Sequence, residues 1–236
     1  MADYKLHKEQ LEINGYSITK PLISESTLVN LKKIVYREEK SYAIRQLVNK
    51  QPEILEVLFK EKSFRELYAK VCGKGYFLTK AIYFNKPAMS NWFVGYHQDL
   101  SISAKEKQIT KDYVQWTYKE KQWGVIPPEG ILKNTITFRV HLDSTDETNG
   151  ALHVIPKSHV KGIIRIDEHF KKEALGKEVL CNVEKGAVML MNPLVLHASQ
   201  RSVSASDRSV IHLEFCNQEI PMGWLERKSV ENDKIF

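Results

Sequence analysis

The spacing of apolar residues changes once along this chain, near Gly75, and that change limits the possible folds more than any other feature. Before it, from Ser24 to about Val71, apolar side chains recur every three or four residues. Leu28, Leu31, Ile34 and Val35 form one such set; Ile54, Leu55 and Leu58 a second; Phe64, Leu67, Tyr68 and Val71 a third. That period lays a single apolar stripe along a helix. Ser24 or Ser26 suits a helix start, Pro52 another, and Gly73 a stop. The charges of "REEK" and "KEK" between them read as solvated helix faces. Ahead of this segment, "INGYSITKPLIS" reads as a short strand or loop entering the fold.

After Gly75 the period falls to two. "YFLTKAIYFNK" alternates, and "NTITFRVHLD" sends Ile136, Phe138, Val140 and Leu142 to one face and Thr137, Arg139, His141 and Asp143 to the other. Asn149-Gly150 is a hairpin-turn signal before "ALHVIP". "DEHFKKEALGK" reads as a helical patch, "VEKGAVMLMNPLVLHAS" as two short apolar strands, and "RSVIHLEF" as one more. Helices followed by a run of short strands predict a mainly β sandwich or barrel with helices packed outside it. Residues 104–130 show no sustained period and contain Trp116, Tyr118 and Trp123. A long loop in a compact domain usually covers a site, so this one is expected to be an active-site lid.

Composition narrows the function. With 236 residues there is enough chain for one β-rich domain with a sizeable core. The net charge of +6 is spread along the sequence, whereas a nucleic-acid reader would gather it into a stripe, so no nucleic-acid partner is expected. Cys72, Cys181 and Cys216 are too few and too scattered for a disulfide framework or a zinc knuckle. "MADYKLHKEQ" lacks an apolar signal segment, and the longest apolar run, "AVMLMNPLVLHA", is short and broken by Asn192-Pro193. The expectation is a cytoplasmic protein with no membrane partner and a small-molecule ligand; its oligomeric state is open.

Within the β region, "NWFVGYHQDLSIS" places His97 and Asp99 two residues apart, hence on the same side of an extended chain. Two costly polar groups sharing a half-buried face either satisfy each other or hold a cation between them. Two imidazoles and one carboxylate on one face of a metal are the ligand set of mononuclear iron oxygenases, with places left for co-substrate and dioxygen. His197, at the end of an apolar strand, is the distal candidate. A dicarboxylate co-substrate would also need a buried cationic fork, which arginine supplies. Arg208 comes eleven residues after His197 at the start of the next strand, and Ser199 lies on the same side as His197. A rival motif, His141-Leu142-Asp143, sits on a better strand, and strand logic alone leaves both open.

The run "NWFVGYHQDLSI" resembles the signature of the phytanoyl-CoA dioxygenase family. "AIYFNKP", "FRVHLDSTDETNGALHVIPKSH" and "KGAVMLMNPLVLHAS…DRSVIHLEF" are similar to that family's other segments in the same order, over roughly residues 75 to 216. The resemblance implies a double-stranded β-helix (jelly roll) over 75–216, with the helical segment 24–71 outside it and residues 1–236 forming one domain. It implies Fe(II) held by His97, Asp99 and His197, and 2-oxoglutarate anchored by Arg208, with Gln98, Ser199 and Thr137 approaching the co-substrate. Arg139 is expected to contact substrate or co-substrate, and Trp116 substrate; otherwise Arg139 pairs with Asp143. His141-Leu142-Asp143 becomes the central strand rather than the metal motif.

Two positions depart from the family pattern: Lys157 stands where its turn has glycine, and Ala187 where aspartate often precedes the distal strand. Halogenating relatives lack the carboxylate, so Asp99 favours hydroxylation or a related oxidation of a small molecule with O2, 2-oxoglutarate becoming succinate. The alternatives are a non-catalytic jelly roll that binds metal and ligand without turnover, and a scaffold whose 24–71 segment recruits a partner.

Overall fold

The computed structural model describes residues 4–37, 42–86, 88, 93–204 and 207–230. Residues 38–40 of "REEK" and Asn91 and Trp92 of the aromatic run lie outside these. Chain order begins with α1 (Tyr4–Asn14), β1 (Tyr16–Ile18) and α2 (Glu25–Val35), then β2 (Ala43–Arg45), α3 (Leu47–Lys50), α4 (Glu53–Lys60) and α5 (Lys62–Val71). Five strands follow: β3 (Phe77–Lys86), β4 (Val94–His97), β5 (Ile102–Ala104), β6 (Val114–Lys119) and β7 (Gln122–Ile126). Helix α6 (Glu129–Lys133) leads into β8 (Thr135–His141), β9 (Leu152–Ile155), β10 (Val179–Cys181) and β11 (Val188–Met191). The series ends with β12 (Leu196–Ser199), β13 (Arg208–Cys216) and β14 (Lys228–Ser229).

The larger sheet has the order β1-β11-β8-β13-β3-β14, with β2 also on β3; the smaller is β10-β9-β12-β4, and β5-β7-β6 forms a third. All pairings are antiparallel, and the first two sheets make the jelly roll. Alternation decides which face of the large sheet meets what. On β13, Ile211, Leu213 and Phe215 join a core cluster with Phe138 and Val140 of β8, beneath α2, α4 and α5. Arg208, His212 and Glu214 of the same strand line a cavity on the opposite side. The helical layer seals the apolar face. Phe64 packs edge-on to Phe138 at 5.9 Å between ring centroids, and Tyr68 to Phe215 at 5.0 Å. Ser24 caps α2, accepting from Thr27 N at 3.3 Å.

Several segments differ from the sequence reading, each for a local reason. The polar N-terminal stretch forms α1, where Leu11 is the one buried residue, a stripe too narrow to register as a period. The helical segment is interrupted by β2, three residues that pair with Arg45 opposite Ile82. "DEHFKKEALGK" makes only a 3-10 turn at Lys172–Leu175 with nothing buried, so no apolar face anchors a helix there. Asn149-Gly150 is a turn but not a hairpin, because β8 and β9 belong to different sheets and the turn crosses between them.

Residues 104–130 are not an irregular loop. They carry the β6–β7 hairpin, whose tip residues Glu120 and Lys121 adopt φ of 50° and 59° without glycine. Strand β6 is exposed along nearly all its length, which leaves no alternation to detect. Lys157 also adopts a left-handed conformation, φ 65°, so the turn keeps its geometry despite the missing glycine.

Glu226 ties the C-terminal segment to the body. Its buried carboxylate accepts from Ala81 N of β3 at 2.9 Å and Val48 N of α3 at 3.2 Å. The Ala81 N–H falls between the stretches of β3 covered by β2 and by β14, where no strand can accept it. Burial pushes the Glu226 carboxyl up to about 7, against the opposing pull of these N–H donors. A carboxyl whose folded pKa exceeds its unfolded value costs stability as pH rises between the two. Buried His197 and His141, with lowered pKa values, gain stability over the same range. The Glu226 contribution is therefore read as the difference between wild type and Glu226→Gln in chemical denaturation, and it should fall from pH 5 to pH 8 by about 2–3 kcal/mol. Glu226→Gln cannot ionise and should lack that fall.

Candidate metal centre and co-substrate pocket

His97 ends β4 and His197 lies on β12, directly opposite each other in the antiparallel register. Cross-strand neighbours approach closely enough for their side chains to meet, and the two imidazole centroids are 4.2 Å apart. Asp99 follows two residues after β4, its N–H donating to Pro193 O at 2.9 Å. One ligand atom from each of His97, Asp99 and His197 lies within 4.8 Å of the others.

Hydrogen bonds set the tautomers. His97 Nδ1 donates to Gly95 O at 2.9 Å and His197 Nδ1 to Val195 O at 3.0 Å, each reaching the carbonyl two residues back. In a neutral imidazole the remaining nitrogen then carries a lone pair. Both Nε2 atoms face the Asp99 carboxylate, each at 3.8 Å, beyond hydrogen-bond distance. Burial lowers the His197 pKa to about 4, keeping it neutral although Asp99 pulls the other way. Two lone pairs and a carboxylate converging with no proton between them repel unless a cation sits there. The donor set, two nitrogens and one oxygen on one side, fits a divalent transition metal with open positions. The rival motif cannot compete, because Asp143 is bound to Lys32 and accepts from Ser209 N at 3.1 Å.

The centre opens onto a cavity of about 590 Å³ between the two main sheets. At one end lie Arg208 and Lys86, cross-strand partners on β13 and β3, both buried. Arg208 Nε has no hydrogen-bond partner, and burial followed by the Arg139 charge lowers its pKa to about 9. Lys86 Nζ reaches Ser199 Oγ at 3.2 Å and also donates to Gln200 O; burial and then the Arg208 charge lower its pKa to about 8. Ser199 Oγ in turn donates to Gly150 O at 2.9 Å. Gly150 has φ +82°, and a Cβ there would lie 2.6 Å from Lys86 Nζ, so the Asn149-Gly150 turn leaves room for the ammonium. Two buried cations and a hydroxyl at one end of a cavity, with an unused donor, make an anion site.

Along the large sheet's inner face runs a second polar chain. Arg139 Nη1 donates to His212 Nδ1 at 3.2 Å, His212 Nε2 donates to Glu214 at 3.0 Å, and Lys80 pairs with Glu214 at 2.9 Å. Lys80 also donates to Ser101 O, just past Asp99. Burial pushes the Glu214 carboxyl up, but Lys80 and His212 outweigh it and hold it below its ordinary value.

The structure places the remaining sequence candidates as follows. Ser199, Arg139 and Arg208 line the cavity. Arg139 does not pair with Asp143. Gln98 is also in the wall, but both its amide donors go to backbone, Gly162 O at 2.9 Å and Leu194 O at 2.6 Å, while Oε1 accepts from Ile164 N. It is a brace for the metal loop, with no donor left for a ligand. Thr137 is fully buried and outside the cavity wall. Trp116 packs beneath the hairpin against Trp123, and its neighbours Gln115 and Thr117 reach the cavity instead. A bulge between Val114 and Thr117 sets that arrangement. The sequence reading missed Lys86, Lys80, His212, Glu214 and Gly150; the same-face spacing of Lys80 and Lys86, and of Arg208, His212 and Glu214, was the available signal.

The sequence profile of the phytanoyl-CoA dioxygenase (PhyH) family matches residues 12–210. The chain belongs to that family. The match reaches further toward the N-terminus than the segments quoted above, taking in the helical layer. A search of curated proteins finds no match. Among solved structures, EctD from S. alaskensis with 2-oxoglutarate and 5-hydroxyectoine is similar at TM-score 0.68 and 15% identity, over 94% of this chain and 80% of that one. AviO1 from Streptomyces viridochromogenes Tue57 gives 0.65 and 15%, over 94% and 99%. SnoK, a non-heme alpha-ketoglutarate-dependent carbocyclase from nogalamycin biosynthesis, gives 0.65 and 13%, over 91% and 84%. At such low identity these structural likenesses show the jelly-roll fold alone. Among the described residues, no helix is long and apolar enough to cross a membrane.

A divalent cation that binds the folded centre alone stabilises it by mass action, about 2.7 kcal/mol at a hundredfold excess over Kd. Anaerobic Fe(II) should accordingly raise the melting temperature of wild type, and His197→Ala should abolish the rise.

Proposed function

We propose that this protein is an Fe(II)- and 2-oxoglutarate-dependent oxygenase that hydroxylates a small molecule. The observation that carries the reading is the pair of Nε2 lone pairs facing one carboxylate, beside a buried Arg208–Lys86 pair that has no acidic partner among the described residues. The family supports an oxygenase, and the 2-oxoglutarate in the EctD structure supports the co-substrate.

In this reading His97, Asp99 and His197 hold iron(II), which supplies the activation of dioxygen when bound. Arg208 and Lys86 take the far carboxylate of 2-oxoglutarate, with the Ser199 hydroxyl alongside, so the keto acid is presented to the metal in one orientation. Arg208 offers a planar fork and Lys86 a point charge, which together match a carboxylate. The apolar wall of Ile82, Phe84, Val94 and Leu152 excludes water around the keto acid's carbon chain. Substrate enters under the β6–β7 hairpin, which forms the opposite wall. Overall, one dioxygen oxidises both partners: 2-oxoglutarate loses carbon dioxide to become succinate, and one oxygen atom goes to substrate. Asp99 fills the place that halide takes in halogenating relatives, which favours hydroxylation.

Anaerobic addition of Fe(II) and 2-oxoglutarate should produce the visible charge-transfer band of the chelate, and air should then yield succinate. His97→Ala and Asp99→Ala should lose both, with succinate formation down by at least about a hundredfold. Succinate formed at the wild-type rate by either variant would refute the metal assignment; chelate without succinate under a broad substrate panel would instead favour the non-catalytic alternative. Gly150→Ala, which crowds Lys86, should weaken 2-oxoglutarate binding by about tenfold, or 1.4 kcal/mol, with the iron affinity unchanged. Titration of the chelate band reads both.

A further inference from the structure

Arg139 is the buried charge that the reading above leaves without a counterpart. It is 6% exposed, its Nε has no hydrogen-bond partner, and it lines the cavity. Its assigned partner is His212 Nδ1, a neutral acceptor whose tautomer is set by the bond from Nε2 to Glu214. The nearby carboxylates are committed elsewhere: Glu214 to Lys80, and Asp99 to the metal centre. Arginine stays protonated in any protein interior, so its charge is permanent. A buried guanidinium facing a cavity, hydrogen-bonded to a neutral imidazole and sharing the Asp99 charge with the metal centre, is costly in the free protein and is stabilised by an arriving anion.

The co-substrate's far carboxylate already has Arg208 and Lys86. Arg139 stands opposite His212 in the sheet register, four residues along β13 from Arg208 and so roughly 13 Å away at the backbone. The hairpin wall of the same cavity presents Gln115, Thr117 and Gln122, which offer neutral hydrogen-bonding groups.

Resting on the oxygenase reading, we propose that the substrate is a small molecule carrying a carboxylate, sulfate or phosphate group, and that Arg139, held in place by His212, binds that group. The remainder of the substrate lies against Gln115, Thr117 and Gln122. Arg139 is then a specificity-determining residue with no part in holding 2-oxoglutarate.

The test uses the full chain loaded anaerobically with Fe(II) and saturating 2-oxoglutarate. Acetate, sulfate and inorganic phosphate are titrated by calorimetry at constant ionic strength, with acetamide as the neutral match. At least one anion should bind wild type, acetamide should not, and Arg139→Met should weaken the anion by at least about tenfold while forming the chelate band at the wild-type 2-oxoglutarate concentration. Arg139→Lys, which keeps charge but not the fork, should fall between them. Circular dichroism checks that each variant is folded, and Arg139→Lys carries the comparison if the Met variant is not. Failure of every anion to bind wild type, or equal binding by Arg139→Met, overturns the proposal. A folded Arg139→Met that loses 2-oxoglutarate as Arg208→Met does also overturns it, assigning Arg139 to the co-substrate. Absence of the chelate band in wild type itself would instead bring down the oxygenase reading, and this proposal with it.

Discussion

Everything in this molecule turns on one electrostatic requirement: two imidazole lone pairs and a carboxylate are held facing one another with no proton to share. The backbone enforces it. The carbonyls of Gly95 and Val195 take the Nδ1 protons, so neither ring can turn its donor toward Asp99. The register of β4 against β12 sets His97 opposite His197, and a slip of one residue on either strand would send that imidazole to the other face. Asn192-Pro193 makes the corner that both starts β12 and supplies the carbonyl gripping Asp99 N. A site that cannot relax by local hydrogen bonding is a site built for a cation.

That requirement explains why the large sheet needs its helical layer. A strand such as β13 spends one face on Arg208, His212 and Glu214, buried polar groups whose desolvation is unfavourable. Its other face must offset this through apolar burial, and Ile211, Leu213 and Phe215 do so only because α4 and α5 cover them with Phe59, Phe64 and Tyr68. The family match beginning at residue 12 is consistent with this dependence: the helices belong to the domain because the inner face of the sheet could not be made polar without them. Local rules of burial are broken at the cavity and compensated outside it, as expected where a fold carries function.

Legibility from sequence followed the range of each interaction. Face assignments on β8 were readable because alternation is local, and with them the inward direction of Arg139; on β13 the same alternation was available, but only Arg208 was singled out. The choice between the two His-x-Asp motifs was not readable from strand pattern, since what disqualifies His141-Leu142-Asp143 is Lys32, more than a hundred residues earlier in the chain. Gln98 illustrates the same limit: adjacency to two ligands suggested a ligand contact, while its amide is consumed by carbonyls at Gly162 and Leu194 that only the fold brings near. The hairpin at 114–126 escaped notice because its turn has no glycine and its outer strand no buried face. Trp116 was singled out as an aromatic of the expected lid, but the bulge beside it turns it under the hairpin.

The hairpin's attachment bears on how the cavity selects. Its tip is tied to β2 by the Arg45–Glu120 ion pair at 3.2 Å, with both side chains well exposed. Exposed pairs of this kind contribute about 0–1 kcal/mol, so this contact cannot hold the wall by itself. The firmer attachment lies underneath, where Trp116, Trp123 and Tyr113 pack on a cluster that includes Ile102, Val125, Met222 and Trp224. The base of the hairpin is therefore fixed by packing while its tip is held by a weak, salt-sensitive contact. Gln115 and Thr117 reach the cavity from strand β6 near that anchored base, whereas Gln122 pairs with Lys119 beside the tip. In the proposed reading, the part of the wall that Gln115 and Thr117 form is set before substrate arrives, while opening at the tip would carry Gln122 with it.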